Sequence, residues 1–501
     1  MCGVVGIIGS PYSAQEAYQG LLLMQHRGQD AAGILSLESK NNNYHLHKDQ
    51  GLVDTVFNKD NLYQLRGEIA IGHTRYSTIG VSELKDVQPQ MINYPYGIGL
   101  AHNGNLVNIQ ELKENLKNEK NRYIYSDNDA ETLLNIIAGE LADSEKEENF
   151  SVKDMARAVS KVYSSAKGGY SVIGTIAKKG FFAFRDPNGI RPLIFGKRDL
   201  TEEEKDKSSF KESYCFASES NTMNYLDYDI IRDVRAGEFI FIDFEGNVHS
   251  EQLSQKKHTP CMFEWVYFAN PDSVLDEENV YASRHRMGEF LGKKVKELVN
   301  EGFISPDVVV PVPETSRISS ISLSETSGVP CRELLIKNRY IQRSFILNTQ
   351  KSRERAVKLK LSPVAQEIKG KNVLLVDDSV VRGTTSKRII EMVKKAGAKD
   401  VYFASACPPI LNPCFYGIDF PHKEELLAYQ KSLKEIEHIL GADKVIYMSI
   451  EELKAALKKK NACMACLDGN YPVDVSAGQE FNQSRNSKGA SANGDIHARA
   501  Y

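Results

Sequence analysis

The stretch VLLVDDSVVRGTTSKRIIEMVKKAGA, residues 373–398, decides the fold of the second half of this chain. Its first four residues, Val373 to Val376, form a continuous apolar run, which is typical of a strand buried on both faces of a parallel sheet. The run ends in two acids, Asp377 and Asp378, and a loop of small residues follows. Apolar residues then recur at helical spacing, so a helix is predicted to start near Thr385. The pattern therefore predicts a strand, a loop and a helix in that order.

Two more apolar runs of this kind, VVVPVP at 308–313 and VYFASA at 401–406, lie beside helical segments. Strands that alternate with helices predict an α/β domain with a parallel sheet. Before about residue 260, short apolar runs such as GVVGIIG and EFIFIDF alternate with Gly and Asn turns. Two predicted helices interrupt these strands, and in one of them Ser13 and Glu16 have the spacing of a capping box. The first half is therefore predicted to be α+β, and the second α/β.

Composition excludes several classes of protein. The chain has 501 residues, 41% of them hydrophobic and 26% charged, with a formal net charge of −3. No basic excess points to nucleic acid as a partner, and no run of about 18 apolar residues predicts a membrane span. The apolar start VVGII is too short for a signal peptide. We therefore expect a cytoplasmic protein, whose eight cysteines suit metal binding or catalysis better than disulfides.

The loop after the two acids has the features of an anion-binding cup. Backbone amides of a small-residue loop and of a helix N-terminus bind phosphate groups, and Arg382, Gly383, Thr384 and Thr385 supply donors. Two carboxylates would repel a bare phosphate, but they suit a ligand that also has hydroxyls or a bound Mg²⁺. A sugar phosphate with a metal ion meets both conditions. The residues alone leave open a plain strand, turn and helix in which the acids only cap the helix.

Cys2 directly follows the start methionine in MCGVVGI. Removal of Met1 would leave Cys2 with a free α-amine, whose ordinary pKa of about 7.7–8 leaves part of it neutral at pH 7. A thiol nucleophile and a general base would then belong to one residue, so no histidine would be needed beside them. The alternative is a small buried thiol at the head of a strand.

The string around the acids resembles the 5-phosphoribosyl-1-pyrophosphate (PRPP) motif of type I phosphoribosyltransferases over thirteen residues without a gap. A Walker A loop would need GxxxxGK[ST], which is absent. The resemblance implies that Asp377 and Asp378 hold the ribose hydroxyls and a Mg²⁺ ion. It also implies that the 5′-phosphate is bound by the following loop, which consists of Ser379, Val380, Val381, Arg382, Gly383, Thr384 and Thr385.

Two further segments resemble parts of the same family. PVPETSR at 311–317 is similar to its pyrophosphate loop, which implies that Ser316 is a further contact on the Mg²⁺ side. The strongly basic segment 337–360 resembles the mobile loop that closes over PRPP. Its candidates for stabilising the charge on the leaving pyrophosphate are Lys337, Arg339, Arg343 and Arg355.

The family that joins such a domain to an N-terminal cysteine is glutamine phosphoribosylpyrophosphate amidotransferase, and the chain resembles it up to about residue 473. The resemblance is carried by MCGVVGI, LLMQHRGQDAAGI, GHTRYST, LAHNGNLVN, SDNDAE, FRDPNGIRPL, FEWVYFANPDS and the PRPP motif. It implies an N-terminal-nucleophile (Ntn) hydrolase with a four-layer αββα sandwich at 2–255. A parallel-sheet phosphoribosyltransferase domain at 256–473 and a disordered tail at 474–501 would follow.

The resemblance implies a role for each residue of the glutaminase half. Cys2 would attack the side-chain amide of glutamine, and its α-amine would carry the proton. Asn103 and the backbone N–H of Gly104 would form the oxyanion hole, which is typically worth about 10²–10³ in rate for each donor. Arg75 would bind the α-carboxylate of glutamine, since a guanidinium matches a carboxylate. Asp129 would bind the α-ammonium group.

The implied reaction converts PRPP, glutamine and water to 5-phosphoribosylamine, glutamate and pyrophosphate, the first committed step of de novo purine biosynthesis. Ammonia freed at Cys2 would attack C1 of PRPP. Because this design needs no imidazole base, His26 and His73 are predicted to be structural. The family also implies feedback inhibition by purine nucleotides and a homo-oligomer, a dimer or a tetramer.

Four cysteines form a candidate metal-binding set. Cys463 and Cys466 make a CxxC pair, while Cys261 and Cys414 stand alone. Sequence separation cannot place them together, and a lone CxxC is a weak signal for zinc or iron–sulfur. Some family members bind a [4Fe–4S] cluster through cysteines in these four contexts, which implies one here. One departure counts against it: cluster-bearing relatives usually carry a propeptide, whereas here only Met1 precedes Cys2.

Three other classes of protein compete with this interpretation. Glucosamine-6-phosphate synthase also begins MCG, but it needs sugar-isomerase domains where this chain has the acid-pair loop. A class B asparagine synthetase would need an ATP-pyrophosphatase loop, which the sequence lacks. A transcriptional regulator built on a phosphoribosyltransferase domain would carry a small DNA-binding domain instead of a glutaminase.

Overall fold

The short apolar runs of the first half form two antiparallel sheets. The computed structural model describes residues 2–76, 83–144, 150–338, 361–420 and 422–480. One sheet has the strand order β11-β9-β10-β1-β4-β2-β3, and the other β13-β12-β8-β7-β6-β5. The strands are β1 Gly3–Ile8, β2 Ala31–Leu37, β3 Tyr44–Gln50, β4 Ile69–Arg75, β5 Gln90–Ile92, β6 Ile98–Leu106, β7 Gly168–Ile176, β8 Gly180–Arg185, β9 Ile194–Asp199, β10 Glu212–Ala217, β11 Asp229–Asp233, β12 Glu238–Asp243 and β13 Val248–Gln252.

Side-chain alternation in β1 shows how the layers stack. Val4 and Ile8 pack with Ile173 of the other sheet, so they lie between the two sheets. Val5 and Ile7 point the opposite way, into the apolar cluster that contains helix α1, as the twofold period of a strand requires. Helices of this half are α1 Ser13–Leu23, α2 Val53–Val56, α3 Lys59–Gln64, α4 Ile109–Lys120, α5 Asp129–Ser144, α6 Val152–Ser165, α7 Glu202–Lys205 and α8 Asn221–Tyr225.

Helices α5 and α6 cover the outer face of the second sheet, where Ile137 and Val159 pack with Val172 and Phe184. The order of layers is therefore helix, sheet, sheet, helix, and the predicted αββα sandwich is confirmed. The predicted capping box of α1 is wrong. The Ser13 hydroxyl instead donates to the Gly67 carbonyl, and Glu16 accepts from Ser10 and Tyr228.

The apolar runs of the second half form a parallel sheet, as predicted. Its order is β16-β19-β20-β21, and all three pairings are parallel. Val308 and Leu375 face one apolar cluster and Val309 and Leu374 another, so both faces are covered. The strands of this half are β14 Val274–Leu275, β15 Glu278–Asn279, β16 Val308–Pro311, β17 Leu335–Lys337, β18 Leu361–Pro363, β19 Val373–Asp377, β20 Val401–Ser405 and β21 Lys444–Tyr447.

Helices flank this sheet on both sides. They are α9 Val280–Asn300, α10 Arg317–Ser327, α11 Ala365–Ile368, α12 Thr384–Lys395, α13 Leu433–Leu440, α14 Ile450–Leu457 and α15 Ala465–Asp468. Within the described ranges, none of the helices combines the length and the apolar character needed to traverse a bilayer.

The two halves share one apolar interior. Leu21 of α1, Trp265 of the connecting segment and Leu374 of β19 belong to the same cluster of buried side chains. The predicted boundary at 255/256 follows β13, yet the packing continues across it. The sites of the two halves are therefore built on one continuous core.

Candidate functional site

The head of β1 brings Cys2 beside Asn103 of β6. The Cys2 backbone nitrogen donates to Asn103 Oδ1 over 3.2 Å, and Cys2 is partly exposed. Asn103 is fully buried, and its Nδ2 has no hydrogen-bond partner in the part of the chain that the structure describes. A buried amide that lacks a partner is costly, so this donor is available to an oxygen placed near the Cys2 thiol.

Gly104 follows Asn103 in a conformation that only glycine adopts easily. Its φ is +150°, and a Cβ there would lie 2.0 Å from the Gly169 carbonyl oxygen of β7. The backbone at this point is therefore fixed by close packing between two strands. Sequence reasoning predicted this residue from its motif, and the structure explains why its side chain must be absent.

Arg75 lies at the end of β4 and Asp129 at the start of α5. One oxygen of Asp129 accepts from His102 Nε2 over 2.7 Å and the other from the Leu106 N–H over 3.0 Å. Burial alone raises the pKa of Asp129, but His102 and these hydrogen bonds outweigh it and hold that pKa below its ordinary value. Sequence reasoning did not single out His102, although it stands beside Asn103 in the HNGN motif.

The two histidines that were predicted to be structural, His73 and His26, lie in different surroundings. His73 is fully buried, and burial is the main reason why its pKa lies well below the ordinary value. His26 contacts Glu219, with its Nε2 2.8 Å from Oε1.

Asp377 and Asp378 lie at the carboxyl end of β19, next to each other and only partly exposed to solvent. Burial and the neighbouring Asp378 raise the pKa of Asp377 well above its usual range. Burial also raises the pKa of Asp378, to about 6, although Ser379, Arg284 and Thr315 act in the opposite direction. Two carboxyls that resist ionisation in this way are stabilised as anions by a bound cation. The acid pair therefore fits Mg²⁺.

The N-terminus of α12 lies at the end of the loop that follows the acids. Gly383 is the residue before the helix, with φ +75°, and among the described residues no side chain caps the first turn. The free N–H groups of such a turn attract anions. Thr384 and Thr385 are exposed there, while Val380 is buried. The geometry therefore fits the predicted phosphate cup.

Other residues of the loop contact protein groups. Arg382 Nη2 lies 2.7 Å from Glu425 Oε2, so this predicted phosphate donor already has a carboxylate partner. The Ser379 hydroxyl donates to Asp378 Oδ1 over 2.7 Å. The Val381 carbonyl accepts from the Leu427 N–H over 2.8 Å.

The remaining predicted PRPP residues differ in their placement. Ser316 is fully buried, and its hydroxyl donates to the Val312 carbonyl over 2.5 Å. Its neighbour Thr315, which sequence reasoning did not name, has the hydroxyl that contacts Asp378. Lys337 is exposed at the end of β17. Arg339, Arg343 and Arg355 lie outside the described residues.

Arg284 of α9 interacts electrostatically with Asp378 and was not predicted from the sequence. It is buried, and its guanidinium donates to the carbonyls of Trp265, Tyr267 and Ala269. Burial lowers its pKa to about 10, and Asp378 acts in the opposite direction. The isolated position of Arg284 in the sequence gave no signal for this electrostatic interaction.

The fold brings the four candidate cluster cysteines together from three segments. Cys261 and Cys463 are paired in a parallel β-bridge, and the Cys466 carbonyl accepts from the Leu411 N–H near Cys414. Burial raises the pKa of Cys261 to about 11, with Cys414 adding to it. The pKa of Cys466 is raised well above its ordinary value by burial, and Cys414, Cys261 and Cys463 contribute.

Thiols with raised pKa values stay protonated at neutral pH, and a bound metal would draw them to the thiolate form. Across the described ranges no set of three or more His, Cys, Asp and Glu side chains stands in the geometry of a single bound metal ion. Four cysteines around an iron–sulfur cluster surround several iron atoms instead of one ion. The four thiols therefore fit a cluster in number and chemistry.

Buried ion pairs join the two halves next to the glutaminase site. Arg27 Nη2 lies 2.6 Å from Glu264 Oε2, and Glu264 Oε1 lies 3.3 Å from Arg191 Nη1. Glu219 accepts from Arg27 and also from the Asn270 N–H over 2.9 Å. All of these charged side chains are buried. Each charge therefore depends on its partner of opposite sign to offset the cost of removing it from water.

Two family models match the chain. A phosphoribosyl transferase domain matches residues 281–440, and a glutamine amidotransferase domain matches residues 58–146. A solved structure of glutamine PRPP amidotransferase from B. subtilis, complexed with ADP and GMP, superposes with a TM-score of 0.81 at 36% identity. That match covers 95% of this chain and 98% of the other.

Relatives of similar length are called amidophosphoribosyltransferase. The one from Pasteurella multocida is 44% identical over 470 residues, which is 93% of this chain and 91% of the relative. The Escherichia coli relative is 44% identical and covers 92% and 89%. The one from Saccharomyces cerevisiae is 41% identical and covers 97% and 96%. With this identity over nearly its whole length, the chain belongs to the amidophosphoribosyltransferase family.

Proposed function

We propose that this chain converts PRPP, glutamine and water to 5-phosphoribosylamine, glutamate and pyrophosphate, the first committed step of purine biosynthesis. The observation that carries the proposal is that two candidate sites, one in each half of the chain, are built on one continuous apolar core. Cys2 lies beside the unpartnered Nδ2 of Asn103, and the Asp377–Asp378 pair precedes the uncapped N-terminus of α12. The first suits amide hydrolysis and the second suits a sugar phosphate.

In the glutaminase half, the Cys2 thiol attacks the side-chain amide carbonyl of glutamine. Its α-amine, freed by removal of Met1, takes the thiol proton and gives it to the leaving ammonia. Asn103 Nδ2 and the Gly104 N–H donate to the oxygen that becomes negative, where donors act most strongly on the rate. Arg75 binds the α-carboxylate. Water then hydrolyses the thioester to glutamate.

Asp129 is proposed to hold the α-ammonium group of glutamine. Its two oxygens already accept from His102 and Leu106, and each carboxylate oxygen has a second lone pair for the ligand. Because those contacts favour the anion, Asp129 presents a negative charge to the substrate.

In the second half, Asp377, Asp378 and Ser316 are proposed to lie on the Mg²⁺ side. The 5′-phosphate is proposed to bind Ser379 to Thr385. Lys337, together with Arg339, Arg343 and Arg355, stabilises the leaving pyrophosphate. Mg²⁺, when bound, supplies positive charge that neutralises the diphosphate. Ammonia attacks C1 of the ribose, and pyrophosphate leaves from the same carbon.

The four cysteines Cys261, Cys414, Cys463 and Cys466 are proposed to hold a [4Fe–4S] cluster. The cluster would tie together the three chain segments that carry these ligands. Iron and acid-labile sulfide analysis of anaerobically purified protein tests this. Near-stoichiometric iron and sulfide are expected, and a colourless protein with four free thiols would rule the cluster out.

Further properties rest on the resemblance. We propose domains at 2–255 and 256–473 with a tail from 474, most of which lies outside the described residues. We also propose a cytoplasmic location, a dimer or tetramer, and inhibition by purine nucleotides. The structural neighbour from B. subtilis is complexed with ADP and GMP, which supports a nucleotide site in this chain.

The Cys2→Ala variant tests the division of labour. It removes the nucleophile for glutamine but leaves the Asp377–Asp378 site unchanged. We expect pyrophosphate release from PRPP to be lost with glutamine as the nitrogen source and kept with ammonium salts at raised pH. Loss of both activities in a folded protein would contradict the proposal.

A further inference from the structure

The loop 413–417 of the second half lies directly against the strand that carries the proposed oxyanion hole. The Asn105 side chain, at the end of β6, donates from Nδ2 to the Phe415 carbonyl over 2.9 Å. These two residues are 310 positions apart in sequence, so the contact joins the halves of the molecule. Asn105 is only two residues beyond Asn103.

A second contact in the same place involves backbone alone. Gly417 has φ +103°, and a Cβ there would lie 3.2 Å from the Gly104 carbonyl oxygen and 3.3 Å from its carbonyl carbon. Gly104 has Gly169 of β7 on its other side. Gly104, whose N–H is proposed to donate to the oxyanion, therefore faces loop 413–417 with its carbonyl group and lies close to Gly169 of a neighbouring strand.

The loop itself is anchored. Arg191, which is fully buried, donates from Nε to the Tyr416 carbonyl over 2.9 Å. The Tyr471 hydroxyl donates to the Pro413 carbonyl over 2.7 Å, and the Tyr471 ring packs edge-on against Phe415. Because loop 413–417 is anchored in this way, it can fix the position of the end of β6, which it contacts.

We infer that Asn105 and Gly417 are positioning residues for glutamine hydrolysis. They make no contact with the substrate themselves. They hold the 103–105 segment so that Asn103 Nδ2 and the Gly104 N–H point at the developing oxyanion. An error of about 1 Å in such a group costs up to 100-fold in rate. This inference rests on the proposed glutaminase activity of Cys2.

The test compares Asn105→Ala, Asn105→Asp and Gly417→Ala with the parent protein. Asn105→Asp keeps the shape of the side chain but cannot donate to Phe415. We expect kcat for glutamine hydrolysis to fall about 10-fold or more in each variant, with KM for glutamine changed less than about twofold. Ammonia-dependent synthesis from PRPP should stay within twofold, because the second site does not depend on the oxyanion hole.

Lys167→Ala is a matched control. It removes another contact of the first half with a distant part of the chain, the exposed pair of Lys167 Nζ with Asp474 Oδ2 at 2.9 Å, and should leave kcat unchanged. An unchanged kcat in Asn105→Asp and Gly417→Ala would overturn the inference, as would an equal loss of the ammonia-dependent reaction. A parent protein without glutaminase activity would instead overturn the proposed function, so the two failures are distinguishable.

Discussion

Arg27 and Glu264 form a buried ion pair across the two halves of the molecule, with Nη2 and Oε2 2.6 Å apart and both side chains nearly inaccessible to solvent. Arg27 belongs to the loop before β2, and Glu264 follows the last strand of the sandwich. Glu264 also contacts Arg191. Glu264 thus contacts two buried guanidiniums, and Arg27 has Glu219 as a second carboxylate partner.

Replacing Glu264 should therefore be costly. In Glu264→Ala, two buried cations lose a partner, and breaking a buried pair typically costs about 3–5 kcal/mol. We expect the free energy of unfolding to fall by about that amount, as measured by urea denaturation. Glu202→Ala removes an exposed partner of Lys205 and should leave the urea midpoint unchanged. A midpoint that moves no more in Glu264→Ala than in this control would contradict the prediction.

Asn103→Asp tests the oxyanion donor directly. The variant keeps an oxygen near the Cys2 nitrogen but replaces the unpartnered Nδ2 donor by an acceptor. We expect kcat with glutamine to fall about 10²–10³-fold. The ammonia-dependent rate of the same preparation is the control and should be unchanged. A loss below tenfold would mean that Asn103 does not stabilise the oxyanion.

Asp378→Asn tests the cation site. Even outer-shell changes at metal sites commonly cost about 10–100-fold in affinity or activity, so loss of a direct ligand should be at the upper end or beyond. We expect a raised Mg²⁺ requirement for pyrophosphate release from PRPP. Glutamine hydrolysis at Cys2 should persist in the variant, and also in the parent protein after chelation of Mg²⁺. Pyrophosphate release with an unchanged Mg²⁺ requirement would contradict the assignment.

Asp233 predicts a pH dependence of stability. Burial and the neighbouring Asp276 raise its pKa to about 6 from an ordinary value of 3.8. Since the folded protein holds this proton to a higher pH than the unfolded chain, ionisation of Asp233 weakens the folded state as pH rises from about 4 to about 6. Asp233→Asn should remove this loss, so its thermal midpoint should exceed that of the parent above pH 6 and converge with it near pH 4.

Asp229→Asn is the control for that comparison, because Asp229 is exposed at the other end of the same strand. Its thermal midpoint should follow that of the parent at every pH. A pH-independent difference between Asp233→Asn and the parent would show that Asp233 does not titrate in this window.

Much of the fold followed from local patterns. The apolar run Val373 to Val376 predicted a strand buried on both faces, and β19 is one. The helix after it was predicted to begin near Thr385 and begins at Thr384. A strand and a helix start depend mainly on residues that are close in sequence, so the pattern of apolar side chains is enough to predict them.

Contacts between distant residues could not be predicted in the same way. The capping box expected from Ser13 and Glu16 does not form, because Glu16 is taken by Tyr228 and Ser10. The contact of His102 with Asp129 and the electrostatic interaction of Arg284 with Asp378 depend on how strands and helices pack. Sequence reasoning found the motifs that carry the chemistry, but it missed the residues that support them.

The shared interior to which Leu21, Trp265 and Leu374 belong makes each half depend on the other for the cover of its apolar side chains. If either half were expressed alone, the apolar surface that now packs against the other half would be exposed to water, so the product would tend to aggregate. If one half were replaced by the corresponding domain of another protein, the side chains of the whole apolar interface would have to change together. Separation of the two halves is therefore expected to destabilise both.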